Sequence, residues 1–200
     1  MLIDEPPDRW PGVASDAFGA GRQAAEHLLA LGHERFAFLG PATDIHAIRM
    51  REKGFVQTIA KSGFGISSDR LRRVPATAAG GQTGMRALLA LETRPTGVFC
   101  SNDLVAIGAL KTCSVAGARV PLDISIVGCD DIELASLTHP ELTTIAIPAR
   151  ELGARAARLL LQALKNEPHE GRVEPVQRTI PSRLVVRGTT APPPNRATQN

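Results

Sequence analysis

The feature that most constrains the fold of this chain is the regular alternation of short apolar runs with amphipathic segments. The apolar runs predict strands at 13–15, 35–40, 71–74, 97–100 and within "DISIVGCDD" (123–131). The amphipathic segments predict helices at 17–31, 46–62, 82–91 and 103–116, with "PATAAGG" (75–81) as a loop. Such alternation with short connections predicts an α/β fold: an open parallel sheet with helices on both faces.

Composition narrows the class of protein. The chain is 43% hydrophobic and 22% charged, which is typical of a soluble globular domain. Its net charge of +3 and scattered arginines are too weak a signal to predict a nucleic-acid surface. The cysteines form no CxxC pair, and no run suits a signal peptide or a membrane span. We therefore expect a cytoplasmic protein.

Polar residues follow two of the predicted strands, where each strand ends. They are Asn102, Asp103, Asp130 and Asp131. Ligands bind outside the carboxyl ends of parallel strands, and these side chains suit hydroxyl groups. A helix arginine, Arg49 or Arg51, could complete a polyol site. The alternative is helix capping, because Asn and Asp are preferred at helix starts.

Other chemistry has little support. Gly19, Gly21 and Ala24 read G-x-G-x-x-A, with Asp44 twenty residues further on, which resembles a dinucleotide fingerprint. That fingerprint needs its first glycine at the strand end, whereas here three residues intervene. No phosphate loop, nucleophile elbow or zinc-ligand spacing is present. The sequence therefore predicts no enzyme, cofactor or metal, and a small dinucleotide-dependent enzyme stays only as a third hypothesis.

The helix predicted from 149 to about 166 has a wide apolar stripe. Its members recur at helical spacing: Leu152, Ala156, Leu159, Leu160, Ala163 and Leu164. A stripe of this width has to be buried against another surface.

A series of segments resembles the effector-binding region of the LacI/GalR family of bacterial transcription repressors. The segments are "GRQAAEHLLALGHERFAFLG", "REKGF", "TGVFCSNDLVAIGAL", "VPLDISIVGCDDIELASLTHPELTTI" and "ELGARAARLLL", in this order. The resemblance implies a periplasmic-binding-protein-like fold of two lobes with a cleft, of which this chain is mainly the C-terminal lobe. Family members also carry an N-terminal helix-turn-helix, which this sequence does not encode.

The resemblance also implies a division of the chain. Residues 1–12 would be a remnant of the first lobe, and 13–147 the second lobe. Residues 148–168 would be a helix belonging to the first lobe, so that its apolar stripe would have lost its sheet. Residues 178–188 would return as a strand to the second lobe, and 189–200 would be a disordered tail.

Site residues carry over position by position. The arginine of the family's R-x-x-G-[FYW] motif matches Arg51, which would clamp effector oxygens. The asparagine after "FCS" matches Asn102, and the first aspartate of "GCDD" matches Asp130. Asp4 in "LIDE" is placed like an aspartate of the first lobe at the cleft.

The sequence departs from the family in ways that bear on the ligand. Ile147 and Ala149 follow "LTTI" where a polar glutamine is usual, Cys129 stands where an aromatic is usual, and "PATAAGG" has no aromatic. Aromatic residues make up only 4% of the chain, so few side chains are available to stack on a sugar ring. A sugar acid is thus as credible as a sugar.

The resemblance implies an effector-sensing module of a repressor, binding a sugar or sugar acid and forming a homodimer, without a membrane. DNA would be bound only through the helix-turn-helix that is absent here. The alternative is a solute-binding protein of a transporter on the same fold, which a secretory signal would favour.

Overall fold

The computed structural model describes residues 2–3, 12–43, 45–165 and 177–194, and the elements below are those of these ranges. The strands are β1 (Leu2–Ile3), β2 (Gly12–Ser15), β3 (Phe36–Gly40), β4 (Leu71–Arg73), β5 (Gly97–Cys100), β6 (Ser125–Asp130), β7 (Thr143–Ala146), β8 (Gln177–Ile180) and β9 (Arg183–Val185). The helices are α1 (Ala17–Ala30), α2 (His46–Lys61), α3 (Ala78–Leu89), α4 (Asp103–Val115) and α5 (Ala149–Lys165), with 3-10 turns at Ser68–Arg70 and Glu133–Ser136.

The larger sheet confirms the predicted α/β fold. Its strand order is β4-β3-β5-β6-β7-β9, and every neighbouring pair is parallel except β7 with β9. Strand β3 supplies apolar side chains to both faces of the sheet. Phe36 and Phe38 join the core on the side of α1 and α2, whereas Ala37 and Leu39 join the core on the side of α3 and α4. Because both faces are covered, the strand is a continuous apolar run.

Helices α1 and α2 cross closely at two glycines. A Cβ added to Gly21 would lie 1.8 Å from the backbone oxygen of Arg51, and one added to Gly54 would lie 2.1 Å from that of Phe18. Only glycine permits such a backbone approach. Gly21 of the G-x-G-x-x-A pattern therefore serves helix packing, and the neighbouring Gly19 lies within α1, where Asp16 caps the helix by accepting from its N–H at 2.8 Å.

On the other face, α3 begins four residues earlier than predicted, at Ala78 instead of 82. Thr77 caps the helix by accepting a hydrogen bond from the N–H of Gly80 at 3.1 Å. Gly81 and Gly108 allow α3 and α4 to touch, because added Cβ atoms would lie 2.0 and 1.9 Å from facing backbone oxygens. The last four residues of the segment predicted as a loop, 78–81, thus form the first turn of a closely packed helix.

A second, smaller sheet has the order β1-β2-β8 and is parallel throughout. Residues 13–15, predicted within the second lobe, pair here as part of β2 rather than with the larger sheet. The predicted returning strand, 178–188, is divided: β8 pairs with β2, and β9 pairs with β7. One side of α5 packs on this sheet, where Leu152 and Ala156 are buried.

Towards its C-terminal end α5 exposes leucines, of which Leu160 and Leu164 belong to the predicted stripe, whereas Leu159 is partly buried against the core of the small sheet. The exposed fractions are 46% for Leu160, 57% for Leu161 and 74% for Leu164. The predicted unsupported stripe is thus limited to the C-terminal half of the helix, because the small sheet covers the N-terminal half. In the described part of the chain, no helix has the length and apolarity needed to span a membrane.

Candidate functional site at the strand ends

The predicted site residues meet at the carboxyl edge of the larger sheet. Asp130 is the last residue of β6, and Asn102 follows β5 as the N-cap of α4. Arg51 lies on α2, which the glycine contacts with α1 hold close to the sheet. Asp4 and Asp44 lie outside the described residues. The described members therefore converge where a ligand of a parallel sheet is expected.

Arg51 is the centre of this cluster. Its side chain is buried, and its Nη1 donates to the backbone oxygen of Ser101 at 2.7 Å. The same nitrogen lies 3.0 Å from Oδ1 of Asp130, whose side chain is 36% exposed. The ion pair thus has one buried partner and one partner open to solvent, so a ligand can reach its carboxylate side.

Asn102 performs the capping role that was the alternative interpretation. Its Oδ1 accepts from the N–H of Val105 at 2.9 Å, and its Nδ2 donates to the oxygen of Ala76 at 3.4 Å. The second bond is long, and the residue is only partly buried. Asn102 therefore starts α4 and still presents its amide nitrogen at the edge beside Ser101.

The turn after β6 has an unusual backbone. Asp130 has φ 120° and Asp131 has φ 57°, a region that residues other than glycine rarely adopt. Arg187 donates from Nη2 to Oδ1 of Asp131 at 2.7 Å. The N–H of Ile132 donates to Oδ2 of Asp103 at 2.9 Å. Charged groups therefore hold this turn at Asp131 and at the residue that follows it.

Asp103 is a buried anchor rather than a ligand contact. It is fully buried, and Thr144 donates to its Oδ1 at 2.6 Å. Burial raises the pKa of the Asp103 carboxyl above its usual value, while the hydrogen bonds from Thr144 and Ile132 act in the opposite direction. A Cβ added to Gly128 would lie 2.2 Å from Oδ1, so the glycine leaves room for this carboxylate.

A cavity of about 840 Å³ opens beside Asp130. It is lined by the 130–132 turn, residues 146–151, Pro181 and Arg183. Ile147 and Ala149, the departures from the family pattern, are among these residues. None of the described residues that line it is aromatic, which agrees with the thin stacking platform expected from the sequence.

Arg49, the other arginine considered for the site, lies elsewhere. It lines a separate groove of about 770 Å³ between α2 and β4, together with Lys53 and Arg73. Arg73 there pairs with Glu52. Arg51 is the one of the two arginines for which contacts with the strand ends are described, at Ser101 and Asp130.

Sequence reasoning missed Arg187 altogether. It follows β9, more than fifty residues after Asp131, and no local motif marks it. Ser101, which precedes Asn102 in the polar triplet at the end of β5, has a fully buried hydroxyl with no hydrogen-bond partner among the described residues. Asp103 and Asp131 were noticed as strand-end residues, but their pairing with Ile132 and Arg187 depends on contacts distant in sequence. Among the described residues, no group of three or more His, Cys, Asp or Glu side chains is placed to hold a metal ion.

Comparisons with known proteins agree with this architecture. A family profile described as "Periplasmic binding protein-like domain" matches residues 25–190. The HTH-type transcriptional repressor CytR of Escherichia coli (strain K12) is 34% identical over 180 residues, which are 90% of this chain and 52% of that protein. The chain therefore spans about half the length of the curated relatives it matches.

Solved structures give the same result. A LacI family transcriptional regulator from Mycobacterium smegmatis is 32% identical with a TM-score of 0.84, over 95% of this chain and 69% of that one. A LacI family regulator from Enterococcus faecalis V583, solved with bound ribose, is 31% identical with a TM-score of 0.80, over 91% of this chain and 64% of that one. The chain belongs to the LacI family of transcriptional regulators and has the periplasmic-binding-protein-like fold of its effector-binding region.

Proposed function

We propose that this chain is the effector-sensing part of a LacI-type repressor and binds a small polyhydroxylated molecule at the Arg51–Asp130 pair. Arg51, Asn102 and Asp130 would contact the effector, and Asp4 is proposed with them from the resemblance. The observation that carries the proposal is the half-exposed ion pair at the strand ends, beside a cavity of about 840 Å³. The ribose in the Enterococcus faecalis relative supports a sugar as the class of ligand.

The charges favour a neutral sugar over a sugar acid. Arg51 is already balanced by Asp130 at 3.0 Å. Adjacent hydroxyl groups of a sugar can donate to the carboxylate and accept from the guanidinium, so they can bridge the pair. A ligand carboxylate in the same place would lie against Asp130 and be repelled. We therefore expect each sugar to bind more tightly than its aldonic acid.

Titration calorimetry tests this proposal with D-ribose and D-glucose, each beside its aldonic acid. The wild-type chain should bind at least one of the neutral sugars, and Arg51→Met should abolish that binding. Arg119→Met is a matched control, since it removes an exposed arginine that pairs with Asp123 at 2.7 Å. Failure of both sugars to bind, or equal binding by Arg51→Met, would contradict the proposal.

The wider role follows the family architecture. In an intact regulator, effector binding would shift the equilibrium between two arrangements of the lobes and so change DNA binding by the helix-turn-helix. Such a regulator acts on DNA in the cytoplasm. The solute-binding alternative has no specific observation in its favour, since the relatives reported above are transcriptional regulators.

A homodimer is part of the proposal, and a leucine-rich face is its candidate interface. Leu104 is 41% exposed, Leu134 is 51% exposed and Leu137 is 70% exposed. The bond between Asp103 and the N–H of Ile132 brings the start of α4 beside the segment that carries the other two leucines. Exposed apolar side chains grouped in this way are typical of protein interfaces.

Light scattering after size exclusion tests the interface. Leu137→Glu should shift the molecular mass from dimer towards monomer, because it buries a charge at the centre of the contact. Val115→Glu changes another exposed apolar residue of α4, 82% exposed, and should leave the mass unchanged. A monomeric wild-type chain, or an unchanged mass for Leu137→Glu, would count against this interface.

A further inference from the structure

The starting observation is that the effector-site carboxylate lies on a turn whose backbone is strained. Asp130 and Asp131 both have positive φ, and the φ of Asp130, 120°, lies outside the left-handed helical region that aspartate tolerates. A conformation of this kind persists only when surrounding contacts over-determine it. The contacts that hold the turn therefore decide where the Asp130 carboxylate points.

Arg187 is the cation that holds the second residue of the turn. Its Nη2 donates to Oδ1 of Asp131 at 2.7 Å, and its Nη1 donates to the backbone oxygen of Leu142 at 2.9 Å. Its own N–H donates to the hydroxyl of Thr143 at 2.9 Å. The Arg187 and Asp131 side chains are only 17% and 23% exposed, so the pair is less screened than a surface ion pair.

We propose that Arg187 is a positioning residue of the effector site: by pairing with Asp131, it holds the turn in the conformation that places the Asp130 carboxylate against Arg51. Arg187 does not touch the effector in this account. This inference rests on the proposed function, because it concerns the same site.

The peptide between the two aspartates connects the Arg187 contact to the Asp130 carboxylate. If the side chain of Asp131 is released, one of the contacts that keep the turn at positive φ is lost, and a rotation of the Asp130–Asp131 peptide becomes less costly. That rotation moves the Asp130 carboxylate away from the 3.0 Å contact with Arg51. Asp103 accepts hydrogen bonds from the backbone N–H groups of Asp131 and Ile132 and so holds the backbone of the turn, but it makes no contact that fixes the side chain of Asp131. Arg187 is the described residue that does.

The test combines a signal from the site itself with affinity for D-ribose. In ¹⁵N-labelled protein, the Nε–H signal of Arg51 is assigned by its disappearance in Arg51→Lys, and the backbone amide of Asp130 by standard methods. Arg187→Met should shift both signals, and Arg187→Lys should restore them in part because it keeps the charge. Ribose affinity should fall about tenfold in Arg187→Met, a loss equivalent to one hydrogen bond.

Arg119→Met is the matched control, because it breaks the exposed Arg119–Asp123 pair and should leave both signals and the affinity unchanged. Melting temperatures measured on every variant separate a local shift from general destabilisation. If Arg187→Met does not fold, Asp131→Asn takes its place, since asparagine tolerates positive φ and weakens only the ion pair.

Unchanged Arg51 and Asp130 signals in the folded Arg187 or Asp131 variant would overturn the inference, whatever the ligand result. If wild-type protein binds no ribose, the two signals alone decide the inference, and the missing affinity counts against the proposed function instead. Shifted signals with an unchanged ribose affinity would also overturn it, because the position of the Asp130 carboxylate would then not matter for binding.

Discussion

At the level of single residues, the Arg51–Asp130 pair in the proposed site would serve recognition more than stability. Ion pairs with an exposed partner contribute roughly 0–1 kcal/mol, because solvent screens the attraction. Here the guanidinium is buried and fixed by the Ser101 carbonyl, whereas the carboxylate is 36% exposed. A ligand hydroxyl therefore meets a donor and an acceptor that are already oriented, which lowers the entropic cost of binding.

Among single residues, we expect His33 to make the free energy of unfolding depend most strongly on pH. This buried side chain lies within hydrogen-bond distance of Thr96, Ser125 and the carbonyl of Ala191. Burial lowers the pKa of His33 from 6.5 to about 4, and the nearby positive charges of His27 and Arg35 act in the same direction, against the hydrogen bond to Ala191. Between these values the unfolded chain binds the proton and the folded chain does not.

Stability should therefore be fully present above pH 6.5 and fall as the pH drops towards 4, by about 3 kcal/mol. Urea unfolding at several pH values measures this slope. His33→Gln removes the titrating group and should flatten the slope, while His139→Gln, at an exposed histidine, should keep it. An equal slope in the His33 variant would contradict the assignment.

At the scale of elements, glycine contacts set the distance between paired helices. Gly21 lets α1 touch the backbone oxygen of Arg51 in α2, so the helix contact and the candidate site share this residue. Gly21→Ala should cost about 1–3 kcal/mol of unfolding free energy, because the added methyl meets backbone that cannot move aside. Gly153→Ala in α5 is the control, since nothing lies within 4 Å of its added Cβ. That variant should be neutral or more stable by up to about 1 kcal/mol.

Chemical denaturation of both alanine variants measures these differences. A Gly21→Ala protein as stable as the wild type would show that α1 and α2 can separate without cost. Loss of sugar binding in that variant would additionally connect the helix crossing to the position of Arg51.

Elements with a clear apolar period were predictable, and those decided by distant contacts were not. Strand β3, α1, α2 and α4 lie within a residue or so of their predicted limits. The start of α3 was missed because adjacent glycines disfavour a helix, and only the close approach to α4 explains them. The pairing partners of β2 were not predictable, because a short apolar run carries no signal for its neighbours.

At the level of the whole molecule, the larger and the smaller sheet are joined by hydrogen bonds between neighbouring segments. The N–H of Asp16 donates to the oxygen of Ile180 at 2.9 Å, which ties the start of α1 to β8. Thr189, in the segment predicted as a disordered tail, is fully buried and bonded to Ile126. Residues near the C-terminus therefore stabilise the larger sheet, a role that their Pro-rich and polar composition did not indicate.

The residues of the candidate site were predictable from the sequence, but the contacts that support them were not. The strand ends alone indicated Asn102 and the aspartates, and the family resemblance selected Arg51 and Asp130. The support from Arg187 and Asp103 was not predictable, because it joins β6 to segments far away in sequence. Contacts of this kind follow from the assembled sheet and not from any local pattern.

A ¹H–¹⁵N map of the labelled chain, titrated with D-ribose, tests whether a sugar binds at the Arg51–Asp130 pair. Binding there should produce saturable shifts of the Arg51 Nε–H, the Asn102 side-chain amide and the Asp130 backbone amide. Saturable shifts confined to another surface, such as the groove lined by Ile48, Lys53 and Leu71, would contradict it.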